Sequence, residues 1–507
     1  STRVRSSAAS DVYKRQEDVI DPADGTIMYK AGTVLDTITT GKNGIATSKK
    51  LPLSKLEIEE IQAPDGFTIT HETQEAELKY ENQTTELVFD SVTMYNERQK
   101  LDLSIIKKDA ETKTPLAGST FGVYAAEDIK SANGEVLVEK GTLLEAAISD
   151  HNGLVEFNAD YPLSQYEIKE IEPSIGYATN KTMLKVNGTY QGQDIPVIEY
   201  HQEVLNEMTK VEISKQDITD ESEIEGALLY VYPKGQQGEI FDTWISGQDG
   251  KNDDGTIKPH LIKGLEINRT YILHEESSPY GFALANDIEF KVSDTGEVQK
   301  VTMKDELVLG TLKWNKTGQI FDQVITGQNE FGTTYSPVWN DSNLLNAEIT
   351  IYAVEDIKIG NNVYYKADEK VEVLESDWDT VTSKKLPVGR YYYVESTTPH
   401  GYITDTNKHY FSIEDNQSTE IQVIQSTLDN KRPSFDIDMT KIMEQQEYFK
   451  NEEAYKDVVF AIYAREDIND YMGNVAIENG SMIATTGIDS DGHLVDVPVS
   501  YTHLTLP

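Results

Sequence analysis

The chain repeats itself with a period of about 100 residues, and self-similarity at a fixed period commits a sequence to a file of like units. One block opens each unit: "LDLSIIKKDAETKTPLAGSTFGVYAAEDI" from 101, "VEISKQDITDESEIEGALLYVYP" from 211, "GTLKWNKTG" with "LLNAEITIYAVEDI" from 310, and "FDIDMTKIM" with "VVFAIYAREDI" from 435. A second block falls mid-unit: "LPLSKLEIEEIQAPDGF", "YPLSQYEIKEIEPSIGY", "LEINRTYILHEESSPYGF" and "LPVGRYYYVESTTPHGY". A third closes each unit, as "VTMYNERQ", "EVLNEM", "VTMKDE" and "STLDNKRP". Between them run short alternating stretches punctuated by "GKNG", "DHNG", "DTGE" and "DSDG". Alternation with turn signals predicts an all-β chain of tandem, immunoglobulin-like antiparallel β-sandwich modules, each of about seven strands. The units follow one another almost without linkers ("NERQKLDL", "NEMTKVEI"), which predicts an extended rod.

Both ends stand outside this pattern. "SSAASDVYKRQ" (6–16) and "VSYTHLTLP" (499–507) are what a transposase-type sequencing-library adapter encodes in its two orientations. Such segments are excluded from fold reasoning. The expected division is therefore 1–16 adapter-derived and disordered, then 17–98 a partial module without its first strand. Complete modules follow at 99–208, 209–306 and 307–432. Residues 433–498 are a partial module without its C-terminal part, and 499–507 are adapter-derived.

Composition narrows the function. A formal net charge of −42 argues against nucleic acid and anionic membrane as partners, since both require a basic footprint. With no cysteine, a zinc–thiolate site, a catalytic thiol and disulfide reinforcement are excluded. No apolar run is long enough to span a membrane. The H-E-x-x-H, G-x-S-x-G and P-loop patterns are absent, so no turnover of an external substrate, no cofactor and no metal is expected.

Period-two reading places three polar residues on inward faces. The opening strands give Leu103, Ile105, Lys107; Val211, Ile213, Lys215; Leu312, Trp314, Lys316; and Ile437, Met439, Lys441. The mid-unit strands end their apolar rows at Glu60, Glu170, Glu275 and Glu395, and the closing strands at Asn96, Asn206, Asp305 and Asn430. Surface pairing of strand-end lysines that snorkel outward would account for one such module. Recurrence in three complete modules calls for a chemical reason. Desolvation lowers a lysine pKa and raises a glutamate pKa, so both can be neutral together. A neutral amine is a nucleophile and a protonated carboxyl a proton shuttle. Held against an Asn or Asp carbonyl, the set forms an amide and expels ammonia or water.

The K-x-D…L-x-G-A…F opening and the E-x-x-A-P-x-G-Y block resemble the prealbumin-like, Cna B-type (SpaA-like) modules of Gram-positive surface adhesins and pilins. The likeness covers residues 17–498. It implies a Lys on the first strand joined to an Asn or Asp on the last, with a Glu catalysing: Lys107–Asn206 with Glu170, Lys215–Asp305 with Glu275, and Lys316–Asn430 with Glu395. By the same likeness Glu60 and Asn96 belong to a first partial site, and Lys441 to a last one. The second module departs from the family with Pro173-Ser174 in place of Ala-Pro, the fourth with Asn346 in place of Gly. The expected role is a stalk of a cell-wall-anchored surface protein, extracellular, reaching sortase and wall through a missing C-terminus and host matrix or glycan through a missing distal domain. The alternatives are modules that bind a host ligand or glycan directly, or spacers of a secreted enzyme whose catalytic domain lies elsewhere. "YVYPK" (230–234) is similar to a pilin motif whose lysine a sortase uses, but Glu225 stands where its Trp is expected. "DSDG" and "NDDG" lack calcium-loop spacing and read as hairpin turns.

Overall fold

The computed structural model describes residues 10–488, except 16, 22, 132, 435, 436, 438 and 445–457. The described chain consists of strands and turns, and no helix in it is long and apolar enough to cross a membrane.

Residues 99–208 show the unit in full. A three-stranded sheet holds Leu154–Phe157, Lys100–Asp109 and Val197–Asn206 in that order; its first pair is antiparallel and its second parallel. A four-stranded antiparallel sheet holds Leu143–Ile148, Thr120–Ala125, Gln165–Glu172 and Leu184–Asn187. The inner faces meet in one core, where Leu103 and Ile105 from one sheet pack with Phe121, Val123, Tyr166 and Ile168 from the other. Each such side chain contributes about 1.5–3 kcal/mol on burial, which holds two sheets together without disulfides. Residues 209–306 repeat the plan with Lys210–Asp217 beside Val298–Asp305, and residues 307–432 with Leu309–Asn329 beside Gln422–Asn430.

Among the described residues the first unit holds the four-stranded sheet and a small ribbon, Val19–Ile20 with Ile27–Tyr29, and there the expectation for 1–16 needs correcting. Ser10–Arg15 is not disordered: it forms a strand between Val34–Thr39 and Lys55–Gln62, with Val12 buried. This is the slot that Thr120–Ala125 occupies in the second unit. The physical reason is backbone satisfaction, because two flanking strands leave unpaired N–H and C=O groups that any extended segment can meet. "VY" at 12–13 supplies β-prone side chains like Val123 and Tyr124. The expected tail at 499–507 lies outside the described residues.

Both family departures keep the local turn. Asn346 adopts φ +60°, the left-handed conformation that Gly118 and Gly226 adopt in the other modules, and Asn is among the few residues that tolerate it. Ser174 is buried, donates its backbone N–H to Ser119 Oγ (2.9 Å) and its hydroxyl to Ala117 O (2.8 Å).

One element was not anticipated. In the fourth unit the lysine strand runs on to Asn329 and turns back through Gly332–Asn343, forming a hairpin between the first and second strands of the module.

Successive units touch through the loop after the glutamate strand. Ala63 N donates to Gln193 Oε1 (2.8 Å), and Thr179 N to Asp294 Oδ1 (2.7 Å). Phe282, fully buried, packs with Ile224 of its own module and with Val308, Ile359 and Val388 of the next. Gly281 precedes it at φ +86°, where a Cβ would fall 2.7 Å from Ile359, so this approach requires glycine. The hydrogen bonds across boundaries, among the described residues, join neighbouring modules. An elongated particle is therefore expected in small-angle scattering. A radius of gyration near the ~23 Å of a compact chain of this length would contradict it.

Candidate functional site

The strand register builds the site. Opening and closing strands run parallel, pairing Lys107 with Val204, Lys215 with Met303 and Lys316 with Leu428. In every case the Asn or Asp stands two residues further along, so it is the diagonal same-face neighbour of the lysine, within reach of a long side chain. The glutamate arrives from the opposite sheet, at the end of its apolar row. All three side chains are buried in each module.

In the 99–208 module, Lys107 Nζ lies 3.8 Å from Glu170 Oε1 and donates to Val204 O at 3.3 Å. Asn206 Nδ2 donates to Glu170 Oε1 and Oε2 at 2.9 and 2.8 Å, and its Oδ1 accepts no hydrogen bond. In the 209–306 module, Lys215 Nζ bonds Asp305 Oδ1 and lies 2.8 Å from Glu275 Oε1. In the 307–432 module, Lys316 Nζ bonds Asn430 Oδ1 and lies 2.9 Å from Glu395 Oε1, while Asn430 Nδ2 donates to the same carboxylate oxygen at 2.8 Å. The structure thus brings together all three trios that the sequence predicts.

Burial governs the electrostatics. It lowers the Lys107 ammonium from 10.5 to about 8, against the opposing pull of Glu170. Burial lowers Lys316 as well, with Glu395 opposing. Asp305 is pushed up to about 7, by burial first; Lys215 opposes the shift and Glu275 adds to it. The lysines are thereby moved toward the neutral amine and the aspartate toward the neutral acid, the forms that condense.

Sequence reasoning missed one partner. The second carboxylate oxygen of every glutamate accepts a backbone N–H ten residues on: Thr70 to Glu60 (2.8 Å), Asn180 to Glu170 (2.6 Å), Ala285 to Glu275 (2.7 Å) and Asp405 to Glu395 (2.7 Å). The constant spacing after the G-[FY] pair of the intervening loop was the available signal. A carboxylate gripped by the backbone is held in place whatever its protonation state.

Two expected members require correction. Asn96 meets Glu60, donating from Nδ2 at 2.6 Å, and among the described residues no lysine reaches the pair. Lys441 is exposed and in no strand, with Ile437 and Ile442 exposed beside it. A strand turns its lysine inward only against an opposing glutamate sheet, and none packs there among the described residues. Lys234 is half-exposed and paired with Glu289 at 2.6 Å.

A family profile described as "SpaA: Prealbumin-like fold domain" matches residues 11–93, 101–198, 209–307 and 339–427. The last match begins at 339 because the hairpin separates that module's lysine strand from the rest of the pattern. Among solved structures, the Bacillus anthracis TIE protein is 18% identical, with 84% of this chain and 69% of that one covered and a TM-score of 0.40. BcpA, the major pilin subunit of Bacillus cereus, is 14% identical over 66% of this chain and 100% of its own, with a TM-score of 0.32. A streptococcal ancillary pilin is 18% identical over 60% and 93%, with a TM-score of 0.23. No curated protein matches the chain.

The lowered Lys107 pKa has a thermodynamic signature. Asn206→Ala removes the acyl group and leaves Lys107 and Glu170 unlinked. The folded pKa of about 8 lies below the unfolded 10.5, so the unfolded chain binds more protons between those values and stability rises with pH across them. Above about pH 10 the raised hydroxyls of Tyr161, Tyr166 and Tyr177 oppose the trend. Between pH 8 and 10 the variant module should gain about 2 kcal/mol in denaturant titration. A flat or falling profile would show that Lys107 keeps its ordinary pKa.

Proposed function

The chain belongs to the SpaA prealbumin-like fold family, and from that premise we propose that it is the shaft of an extracellular surface fibre whose modules close with Lys–Asn or Lys–Asp amide bonds. One observation carries the reading. The same buried Lys–Glu–Asn/Asp arrangement bridges the first and last strands of three modules, in the same register.

The chemistry follows from the contacts. The neutral amine of Lys107 or Lys316 attacks the side-chain carbonyl carbon of Asn206 or Asn430. The glutamate, bonded to the amide nitrogen that must leave, takes the proton from the attacking amine and delivers it there, and ammonia departs. At Lys215 the electrophile is the neutral acid of Asp305, Glu275 performs the same transfers, and water departs. Each step joins one N–C bond, breaks one C–N or C–O bond and needs no cofactor.

The mechanical consequence lies in the strand direction. In the 99–208 module, tension enters at Lys100 and leaves at Asn206, at opposite ends of two adjacent parallel strands. An amide from Lys107 to Asn206 passes that load directly across and leaves the intervening residues unloaded. It also restricts the unfolded chain. With 90 positions between Lys215 and Asp305, and 114 between Lys316 and Asn430, the loop-closure relation gives about 4–5 kcal/mol each.

Cell-wall attachment of such a shaft through a sortase, and a distal ligand-binding domain, belong to the same proposal. Intact mass measurement tests its core. The purified chain should be lighter than its sequence by two ammonia and one water. Glu170→Ala and Glu395→Ala should each restore one ammonia, and Glu275→Ala the water. A full sequence mass for the unaltered chain would overturn the reading.

A further inference from the structure

Among the described residues the fourth-module hairpin has no counterpart in the other modules, and the amide chemistry does not use it. It reaches into the next module. One sheet runs without a break through Val381–Thr382, Leu309–Asn329, Gly332–Asn343, Met482–Thr486 and Phe460–Tyr463, so the first three strands belong to one module and the last two to the next. Thr334 pairs with Met482 across the boundary. The apolar face between them is buried: Phe321 packs against Ala464, Ile477 and Ile483, flanked by Val324 and Trp339. Polar contacts fix the register. Tyr471 N donates to Phe321 O (2.8 Å), Leu345 N to Tyr471 Oη (2.9 Å), and Asn329 Nδ2 to Thr485 Oγ1 (3.3 Å).

We propose that the hairpin is a docking clasp for the following module, holding it in fixed orientation by adding a strand to its sheet. The inference goes beyond the amide-bonded shaft and does not depend on it. Three further observations support it. The root of the hairpin is anchored at the point where the chain leaves the fourth module: the Arg432 guanidinium lies 3.3 Å over the Trp339 ring and donates to Gln319 Oε1 (2.9 Å). The occupied edge is free in this architecture, because Leu143–Ile148, the counterpart of Met482–Thr486, is an edge strand of its sheet. The other edge, beside Phe460–Tyr463, is the one a glutamate strand takes in the complete modules, and the hairpin leaves it open. Lastly, the docking element of the following module is used elsewhere. The small ribbon after its E-D-I motif, Ile468–Asn469 with Val475–Ile477, corresponds to Ile357–Ile359 with Asn362–Tyr365 of the fourth module. That earlier ribbon docks backward too, through Ile359 against Phe282 and Asn362 Nδ2 to Asp220 Oδ2 (2.9 Å).

The absence of cysteine makes the test clean. The double variant Asn329→Cys/Thr485→Cys places the only two thiols of the chain on the hairpin tip and the next module. Under mild oxidation of the full chain, both free thiols should be lost, with a faster-migrating monomer on a non-reducing gel. Adding Phe321→Asp on the hairpin, or Ile483→Asp on its partner, should restore the free thiols. Hydrogen exchange in these variants should quicken at 460–486 and stay slow at 309–316 and 422–430. Thiols that remain free in the double variant would overturn the clasp. So would disulfide formation undiminished by both aspartates, since the contact would then be a chance encounter of tips rather than a packed interface.

Discussion

The parallel pairing of the first and last strands, in one invariant register, is the constraint on which the rest of each module depends. It puts the lysine opposite the residue two before the Asn or Asp in all three complete modules. A slip of one residue would turn the lysine and its apolar row to solvent, because side chains alternate with period two. The register is secured by Leu103 and Ile105, Val211 and Ile213, and Leu312 and Trp314, all buried in the row that ends at the lysine. The hydrophobic core thus performs the alignment, and the polar trio occupies the position it defines.

That position is expensive for charge. Coulomb attraction between buried ions often fails to offset their desolvation, and a buried pair is weak evidence for stability. The lowered Lys107 and the raised Asp305 record this directly. A noncovalent trio would therefore be a liability repeated three times along the chain. Under the proposed chemistry, condensation would remove the buried ammonium from each trio, and at Lys215–Asp305 an ionisable carboxyl with it, and would convert the liability into a permanent tie. The first module shows how the remainder is held without a lysine: Glu60 keeps its bonds from Thr70 N and Asn96 Nδ2. The scaffold, not the cation, positions the carboxylate and the amide.

What was legible in the sequence was what side-chain alternation encodes. In the three complete modules the inward lysines, glutamates and Asn/Asp residues end apolar rows, and each appears where that pattern placed it. The features that escaped depend on backbone groups or on vacancies. The N–H donors at Thr70, Asn180, Ala285 and Asp405 belong to four different residue types, so no side-chain pattern marks them. Ser10–Arg15 is a strand because two neighbours leave a gap between them, which cannot be read from the segment itself. Lys441 carried the right local pattern, but inwardness is a property of two sheets, and among the described residues no second sheet packs against it. The hairpin escaped because repeat comparison directs attention to what recurs, and residues 318–343 recur nowhere.

The junctions extend the same logic from strand to fibre. In the first three modules the glutamate strand runs into the loop that touches the next module, so the carboxylate of the trio and the inter-module contact share one short segment. From Glu275 to Phe282 is seven residues, and Phe282 is fully buried against the following module. Displacing that module pulls on a segment whose other end is held by a carboxylate with a backbone bond and a lysine partner. A junction tied to a cross-linked core is stiffer than one tied to a strand free to fray, because local opening is confined to what the tie does not enclose. In the proposed shaft, covalent closure inside modules and packing between them would be one property, the rigidity of each contact being set by the module behind it.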